Sequence, residues 1–515
     1  MADEKSSIMG SPKYAEHTLG YLQIGVGRPE LPLDDLPEPE TVFGVRRIGA
    51  KELITLVLGP SMIALGVSLG SGEWLLGPMA AAKYGFVGIG WVILVSAVLQ
   101  TFYNVEVGRY TVATGEVPIV GFSRTPPGSR FWIALTLLVI YMGWIWGGWT
   151  AAAGQSIFTL VTGRPNTREE LEIVRLIGIG LMIAALGMFL FGKKISRTLE
   201  VFNTITVFFI LSALIIMAAV IVPGSYWAGA FRGLVTFTKP PEGIDVSLLG
   251  ALAGYTGFGA GMNFMLINYY RDKGFGMGHK VGYIAGMIGG EQQEMLATGV
   301  TFRETPRNEA IWKRWFRYLV IDQWTVFFIG AIIGMMVPCI LVGYVASLPG
   351  AAEPTMANMP VYVAAELGKR YGPLLFYFVL LVGALTLFKT QSTVLEMLIR
   401  NATDAAYTMS GRFRRYIGGD PRRFYYPFAV ILVVIISVII HMALPTKLLV
   451  IAANMANLAA LIFPFVIIYL NRQLPKPARL SWWGYVLMIL NVLFFGFFFL
   501  NFLAVQVTGT PLYRF

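Results

Sequence analysis

The sequence predicts an all-α protein that crosses a membrane many times, and three observations support this fold class. Hydrophobic residues make up 56% of the 515 residues, and the mean hydropathy is +0.65. Charged residues make up only 13%, which is about half of the share that soluble proteins carry. About eleven apolar stretches follow one another along the chain, each near the roughly 20 residues that a helix needs to cross a bilayer.

Charge and cysteine content exclude several other classes of protein. The net charge is +11, but the basic residues lie in short loops between apolar stretches, which is typical of membrane proteins rather than of nucleic-acid-binding surfaces. Cys339 is the single cysteine, and the three histidines lie far apart, so neither a disulfide framework nor a metal-ligand spacing is present. We expect the lipid bilayer as a partner, no nucleic acid and no cofactor. No enzymatic activity is expected, since nucleotide, haem and zinc motifs are absent.

The chain divides into a polar tail, one transmembrane domain and a short end. Residues 1–48 are rich in proline and acids and predict a flexible cytosolic tail. Residues 49–505 are assigned to one transmembrane domain, and residues 506–515 to a C-terminal tail. The predicted spans, numbered 1 to 11, are 52–83 (broken), 87–113, 131–160, 172–192, 196–223, 247–271 (broken), 314–347, 373–399, 425–443, 447–471 and 482–505.

The loops predict the orientation of the protein. Basic residues are concentrated in alternate loops, such as Lys193, Lys194 and Arg197 between spans 4 and 5, whereas the opposite loops hold few. The positive-inside rule then places the N-terminus in the cytoplasm of a multi-pass cell-membrane protein. The polar segment 272–313 predicts a cytosolic insertion that is either a solvated connector or a regulatory site.

Span 1 is interrupted at Gly70-Ser71-Gly72, and Glu73 follows the interruption. Glycine and serine are poor helix formers, and a helix broken in lipid is tolerated only where the freed backbone lines a cavity or is buried in protein. Free N–H groups at the start of the second half would point into the gap. Ionisable residues at this depth usually face a cavity, so Glu73 is the leading binding candidate. Its alternative role is to stabilise the N-terminus of the second half-helix.

Span 6 contains a second interruption, with four glycines between Gly254 and Gly261. Each glycine costs a helix about 1 kcal/mol relative to alanine. Spans 1 and 6 are the first members of two groups of five, and interruptions at corresponding positions mark the midplane site of secondary transporters. We therefore predict a transporter rather than a channel or a membrane enzyme. The candidate residues around the second gap are Tyr255, Thr256, Gly257, Phe258, Gly259, Met262 and Asn263.

Four charged residues within the spans are candidates for a coupling-ion route. Glu106 and Arg109 lie three residues apart, so they either form a structural pair or serve this route. Asp322 is buried by its position and is a candidate proton carrier. Lys389 has three alternative roles: it occupies a cation site, pairs with Glu396, or extends to the membrane interface.

Uncharged side chains in the spans also have alternative roles. Asn454 and Asn457 either offer carbonyl oxygens to a cation or form hydrogen bonds between helices. Trp144, Trp146 and Trp149 in span 3 are either packing residues or a wall against which a solute stacks.

These residues carry a family resemblance. Gly59-Pro60 opens span 1, and after nine further residues Gly70-Ser71-Gly72-Glu73 precedes Trp74. This frame resembles span 1 of the Nramp family of divalent-metal transporters, in which Asp-Pro-Gly-Asn occupies the four motif positions. The resemblance implies the LeuT-type fold, with inverted repeats of spans 1–5 and 6–10 plus an eleventh helix. Further matches are Arg109 with Thr114-Gly115, Leu199-Glu200, Gln391-Ser392-Thr393, Leu458 to Pro464, and Asn471-Arg472.

The sequence departs from that family at its metal-binding positions. The family's aspartate falls on Gly70 and its asparagine on Glu73, so one carboxylate is kept but displaced. A thioether ligand selects transition metals, and the family's methionine is missing from its place. The resemblance therefore implies a cation of the Mg²⁺ or Mn²⁺ class, with Glu73 as the charged ligand and protons as the coupling ion. At three other places the family's residues are replaced. Its Met-Pro-His of span 6 becomes Phe258-Gly259-Ala260, its acidic pair of span 3 becomes Gly147 and Thr150, and its glutamine of span 10 becomes Asn457.

The same gap has a second resemblance. Gly70-Ser71-Gly72 is similar to the Gly-Ser-Gly of amino-acid transporters in the wider LeuT-type superfamily, where backbone amides hold a substrate carboxylate. This resemblance implies a small amino acid or carboxylate as the solute, with Glu73 binding its ammonium group or a proton. A membrane sensor or scaffold without transport is the third alternative.

Overall fold

The computed structural model describes residues 31–513, apart from 71, 191–194, 258, 260, 283–295, 297, 355–358, 410 and 443–444. In this part of the chain, nine helices are long and apolar enough to cross a membrane, and a tenth span is a helix pair bent by 56°. The eleventh predicted span, span 6, consists of two shorter helices. The predicted all-α fold is confirmed, and the sheet formed by the described residues has two strands of two residues each.

Most spans are continuous helices whose ends agree with the prediction to within four residues, except that the helix of span 8 extends ten residues past its predicted end, to Met409. The apolar runs are bounded by glycine, proline or serine, as at Gly115 after span 2 and Ser481 before span 11. The uninterrupted spans are Gly90–Thr114 (2), Leu171–Phe189 (4), Ile195–Ile221 (5), Pro373–Met409 (8), Arg422–Ile439 (9), Pro445–Asn471 (10) and Trp482–Thr508 (11).

Four spans are interrupted or change their winding. Gly147, with φ of +65°, separates the halves of span 3, because this left-handed conformation favours glycine. Span 7 contains a wide π-helical turn. The interrupted spans comprise Ala50–Glu52, Leu53–Val57, Pro60–Ser68, Gly72–Leu76 and Gly77–Tyr84 (1); Ser129–Trp144 and Gly148–Thr162 (3); Val246–Tyr255 and Asn263–Lys273 (6); Pro306–Ile321, Asp322–Phe328 and Ile329–Ser347 (7).

Short helices connect the spans. These connecting helices are Pro39–Phe43, Pro118–Ser123, Gly224–Val235, Gly278–Val281, Met359–Tyr371, Gly411–Tyr416 and Lys476–Ala478.

The broken spans lie in the core of the bundle. Every residue of the half-helix Val246–Tyr255 is buried, and so are eight of the nine residues of Pro60–Ser68. Spans 4 and 9, by contrast, expose large apolar side chains such as Leu176 and Val434. Since exposed apolar faces on spans of this length are suited to lipid, the helices that carry the predicted site are shielded from the bilayer.

Glycines allow span 6 to pack closely against span 10. A Cβ on Gly254 would lie 2.5 Å from the carbonyl oxygen of Ala453, and one on Gly259 would lie 2.0 Å from the Cβ of Ala456. Small residues at such crossings let two backbones approach each other. Packing therefore accounts for Gly254 and Gly259, while Gly257 takes the positive φ of +87° at the break itself.

Residues 33–43 depart from the prediction of a flexible tail. Strand β1 (Leu33–Asp34) pairs in parallel with β2 (Thr301–Phe302), and Leu36 is buried. The Trp315 indole donates a hydrogen bond to the Pro37 carbonyl at 2.8 Å. These contacts fix the segment on the domain. Residues 1–30, and 283–295 of the predicted insertion, lie outside the described residues.

Candidate substrate site between the two broken spans

The two gaps face each other inside the bundle. A Cβ on Gly72 of span 1 would lie 2.7 Å from the Cβ of Tyr255 in span 6, so only glycine fits at this crossing. A small cavity of about 180 Å³ lies beside it. Its free space amounts to room for about one water molecule. The cavity is lined by Val67, Ser68, Gly72, Glu73, Trp144, Trp149 and Tyr255.

Glu73 is buried and its carboxylate turns back across the break. One oxygen accepts a hydrogen bond from the Gly70 N–H at 2.9 Å, and the other accepts one from the Ser68 hydroxyl at 3.1 Å. Both donors are neutral, so these two bonds stabilise the carboxylate without cancelling its charge. Glu73 thus joins the two half-helices of span 1 and also faces the cavity.

Lys389 of span 8 lies at the same break. Its ammonium group donates hydrogen bonds to the carbonyl oxygens of Gly66 and Leu69, at 2.7 and 2.5 Å. The Thr390 hydroxyl lies 3.2 Å from the second of these oxygens. Carbonyls at the end of a helix lack partners within it and carry partial negative charge. Lys389 is thus buried at the break, which does not fit extension to the membrane interface, and its ammonium group bonds to backbone carbonyls at a helix end.

The other end of the half-helix Pro60–Ser68 is capped by Asp322 of span 7. Its carboxylate accepts hydrogen bonds from the N–H groups of Gly59 and Ser61, at 3.3 and 3.1 Å, and from the Ser61 hydroxyl at 2.7 Å. The Tyr270 hydroxyl of span 6 also donates to it. One half-helix is thus held by an anion at its N-terminus and a cation at its C-terminus, both from other spans, as the helix dipole favours.

Three aromatic rings form one wall of the cavity. The ring centroids of Trp144 and Trp149 are 5.7 Å apart, and those of Trp144 and Tyr255 are 5.2 Å apart, with nearly parallel planes in both pairs. The Tyr255 hydroxyl is buried and has no hydrogen-bond partner among the described residues. Trp146 is turned away and donates to the Met142 carbonyl. Two of the three tryptophans noted in span 3 therefore face the site.

Several predicted site residues lie elsewhere. The Thr256 hydroxyl bonds to Leu252 of its own helix, and Asn263 donates to Gln100 and Asn104 of span 2. Met262 is buried but does not line the cavity. Gly257 and Gly259 shape the break, while Ser71 and Phe258 lie outside the described residues.

Asn454 and Asn457 form hydrogen bonds between helices, which is the second of the two roles that the sequence allows for them. Their side-chain amides donate to the carbonyl oxygens of Ser247 and Gly250 in span 6, both at 3.0 Å. They therefore fix span 10 against the first half of span 6.

Glu106 and Arg109 form the predicted pair. The Arg109 guanidinium donates to the Glu106 carboxylate at 2.7 and 3.0 Å, and it packs 4.2 Å from the ring of Phe316. The Asn471 amide also bonds to the Glu106 backbone. These contacts join spans 2, 7 and 10 and do not reach the cavity.

Sequence analysis missed a buried charged cluster between spans 6 and 8. Arg400 pairs with Glu396 on its own span and with Asp272 of span 6, while Arg271 pairs with Asp272 and, at 3.0 Å, with Asp404. All five residues are at most 3% exposed. In the sequence, charged residues recur at helical spacing along span 8, at Lys389, Glu396, Arg400 and Asp404. This periodicity could have indicated a charged face on that helix.

The site offers few ligands for a metal ion. Among the described residues, no group of three or more histidine, cysteine, aspartate or glutamate side chains is placed to hold one. Glu73 is the one carboxylate of the cavity lining, and the Ser68 hydroxyl is the nearest additional oxygen that the lining supplies. A cation bound here would keep part of its water shell, as Mg²⁺ commonly does.

Comparison with solved structures identifies the fold. A histidine-to-alanine mutant of a manganese transporter from Eremococcus coleocola matches with a TM-score of 0.59 and 14% sequence identity, over 93% of this chain and 90% of that chain. The same transporter in complex with an aromatic bis-isothiourea substituted compound matches with a TM-score of 0.57 and 15% sequence identity, over 94% of this chain and 93% of that chain. No protein-family model matches the sequence, and no curated protein matches it significantly. The chain thus shares the fold of this manganese transporter, in agreement with the LeuT-type fold that the resemblance of span 1 implies.

Proposed function

We propose that this protein is a secondary transporter that works by alternating access, with its solute bound between the breaks of spans 1 and 6. The observation that carries the proposal is the buried cavity at which both breaks meet, with the Glu73 carboxylate in its wall. Half-helix ends and opened backbone at mid-depth are the features with which transporters of this architecture bind their solutes. The solute passes when the two halves of the bundle move around this point.

A divalent cation of the Mg²⁺ or Mn²⁺ class is the first candidate solute. The free space suits a guest the size of an ion or a water molecule, and Glu73 supplies negative charge. Backbone carbonyls at the breaks would supply further oxygen ligands once the site opens. The fold relative is by its name a manganese transporter. We propose protons as the coupling ion, with Asp322 as the carboxylate that carries them.

A small solute with an ammonium group is the second candidate, and the aromatic wall favours it. Cations bind to the faces of tryptophan and tyrosine rings, and Trp144, Trp149 and Tyr255 stand beside the carboxylate. The fixed charge of Lys389 at the same break is less favourable for a divalent ion than for a solute with one positive charge. Such a solute requires the rings to separate, because the cavity is small in this conformation.

Uptake into proteoliposomes tests both candidates. Vesicles with the full chain are offered Mg²⁺, Mn²⁺, amino acids, amines and organic acids, with and without a proton gradient. We expect uptake of a cation or of an amine, and we expect Glu73→Gln to abolish it, because the neutral amide keeps the shape but loses the charge. Glu242→Gln, an exposed carboxylate outside the spans, is the matched control.

The outcomes separate the alternatives. Uptake of amines without movement or competition by either metal ion would exclude the divalent-cation candidate. Unchanged uptake by Glu73→Gln would reduce Glu73 to a structural charge. A folded protein that moves no solute at any pH would contradict the transporter proposal and favour a sensor.

The orientation follows the charge bias of the loops, so we place the N-terminus in the cytoplasm of the cell membrane. A membrane-impermeant protease added to intact cells should leave Arg46 and Arg47 uncut and should reach them after lysis. Cleavage in intact cells would reverse the orientation.

A further inference from the structure

We propose that an anionic phospholipid binds in a lateral groove between spans 3 and 10, with its phosphate held by Arg130 and Arg472. This site lies far along the helices from the two breaks and is independent of the transported solute. The groove has a volume of about 590 Å³, which lies within the usual range for sites of small organic ligands.

The walls of the groove are apolar. On span 10 they consist of a face at helical spacing that includes Leu461, Phe465 and Tyr469. The polar groups of the opposite wall are already satisfied: the Thr125 hydroxyl donates to the Phe122 carbonyl, and the Trp132 indole donates to the Pro126 carbonyl, both at 2.8 Å. Such a surface has nothing to offer a polar solute.

The groove opens toward the bilayer. Phe465 is 52% exposed although it lies within a membrane span. In the hydrocarbon layer, the molecules that cover such a surface are lipid acyl chains. Trp132 lies near the start of span 3 and Tyr469 near the end of span 10. Aromatic residues at these positions mark the level of the lipid headgroups, so the groove extends from that level into the membrane.

Two arginines lie just beyond this aromatic level. Spans 3 and 10 contact each other, and because Trp132 and Tyr469 line the same groove, the start of span 3 lies beside the end of span 10. Arg472 follows Tyr469 by three residues, which is the spacing of one helix face. Arg130 lies in the first turn of the helix that carries Trp132 and precedes it by two residues, so it shares the level of the groove's end rather than its face. Both are exposed, and neither has an ion-pair partner in the described part of the chain.

Charge selects the kind of lipid. Arginine binds phosphate through two parallel hydrogen bonds, and basic residues near a membrane surface attract anionic lipids by about 1 kcal/mol each. Arg124 directly precedes Thr125 of the groove wall, but it is paired with Glu116 at 3.0 Å. Two unpaired cations above an apolar groove complement a molecule with an anionic head and acyl chains.

Native mass spectrometry of the delipidated full chain tests the site. The protein is incubated with equal amounts of phosphatidylglycerol and phosphatidylcholine that carry the same acyl chains. We expect preferential retention of phosphatidylglycerol. The double variant Arg130→Gln/Arg472→Gln should lower this retention about 25-fold, or about fivefold for each arginine. Arg317→Gln removes an exposed arginine outside the groove and should change nothing.

A second pair of variants tests the groove rather than the charge. Ile462→Trp fills it, and Phe465→Glu places a negative charge at an exposed position of its wall, so each should lower retention of phosphatidylglycerol while the thermal unfolding temperature stays near that of the wild type. Equal retention of both lipids would overturn the proposal, as would wild-type retention by the double variant or by Phe465→Glu. A dimer that forms by disulfide cross-linking of the Phe465→Cys variant under an added oxidant would overturn the proposal and assign the groove to a second copy of the chain.

Discussion

Glu73 and Lys389 bond to the two polar groups of one peptide unit at the break of span 1. The ammonium group holds the Leu69 carbonyl, and the carboxylate holds the Gly70 N–H. The sequence indicates Glu73 as a site residue because this carboxylate directly follows a break. Lys389 lies more than 300 positions away, so its contact with the break depends on how the helices pack. Both charged side chains therefore hydrogen-bond to the broken backbone, and the proposed solute would meet a site whose polar groups already have partners.

Lys389→Met should destabilise the protein by about 1–3 kcal/mol, the usual cost of leaving buried polar groups without partners. Methionine has nearly the same length but donates no hydrogen bonds to the carbonyls of Gly66 and Leu69. The measurement is thermal unfolding of the purified protein in detergent. Lys239→Met, at an exposed loop position, serves as the control; equal unfolding temperatures for both variants would show that the ammonium group adds no stability.

At the level of elements, the half-helix Pro60–Ser68 is the part whose position depends on other spans. Its own N-cap residue is Gly59, which has no side chain to close the first turn. Asp322 supplies that cap from span 7 and Lys389 supplies the charge at the other end from span 8. Such a helix can be released by altering one residue outside it, as the proposed alternating access would require.

Asp322→Asn should loosen this half-helix, because the amide replaces one of the two acceptor oxygens with a donor, which then faces the N–H group of Gly59 or of Ser61. We expect faster maleimide labelling of a cysteine introduced by Met62→Cys, a partly buried position. The native Cys339 is fully buried and should contribute little background. Asp245→Ala removes the side-chain cap of a different half-helix and should leave the labelling rate unchanged. An unaltered rate in Asp322→Asn would mean that the cap does not hold the half-helix.

The segment 33–43 is held by ion pairs on the face that carries the N-terminus. Four acids of the segment meet four bases: Asp34 with Lys280, Asp35 with Arg303, Glu38 with Arg307 and Glu40 with Arg314. A side-chain hydrogen bond from Asn308 keeps the pKa of Asp35 below its usual value. The stabilisation by Asp35 is therefore complete above its unfolded pKa and is lost as the pH falls through the lowered folded value.

Glu38→Gln/Glu40→Gln should release this segment and speed tryptic cleavage after Arg46 and Arg47, which are exposed and follow it directly. Raising the salt concentration should have the same effect on the wild type, since exposed ion pairs are screened. Limited proteolysis followed by mass spectrometry measures the rate. If the double variant is cut no faster than Glu242→Gln, the strand pair and the apolar contacts hold the segment without its charges.

At the level of the whole molecule, the buried charges between spans 6 and 8 join two parts of the bundle that the sequence assigns to the same repeat. Arg400 contacts acids from both spans, and the Tyr269 hydroxyl donates to Glu396 at 2.6 Å. Buried ion pairs gain little over apolar packing, but removing one partner leaves an uncompensated charge. The cluster therefore makes the relative position of spans 6 and 8 dependent on a few side chains.

Arg400→Met should destabilise the protein by about 3–5 kcal/mol, because Glu396 and Asp272 lose their shared cation inside the bundle. Thermal unfolding measures the change. Arg423→Met, an exposed arginine in span 9, should shift the unfolding temperature little. Similar small shifts for both variants would show that the carboxylates find other partners or take up protons.

The sequence by itself determined the membrane class, the approximate ends of most spans, and the positions of both breaks. Hydropathy and glycine content act within one stretch of chain, so they can be read without knowing its neighbours. In the site, Gly70, Gly72, Glu73 and Tyr255 follow from the same local signals, and the structure places Gly72, Glu73 and Tyr255 in the cavity lining and Gly70 beside Glu73.

Tertiary structure alone decided which groups meet. Asn263 and Asn457 form hydrogen bonds between helices instead of lining the cavity, whereas Trp144, Trp149 and Ser68 do line it. Residues 33–43 pack against the domain. These outcomes depend on how helices from distant parts of the chain pack, and a hydrogen bond across that distance leaves no periodic signal in either stretch. The positions of the breaks depend on the local sequence, whereas the side chains that hydrogen-bond to the broken backbone depend on how the helices of the bundle pack.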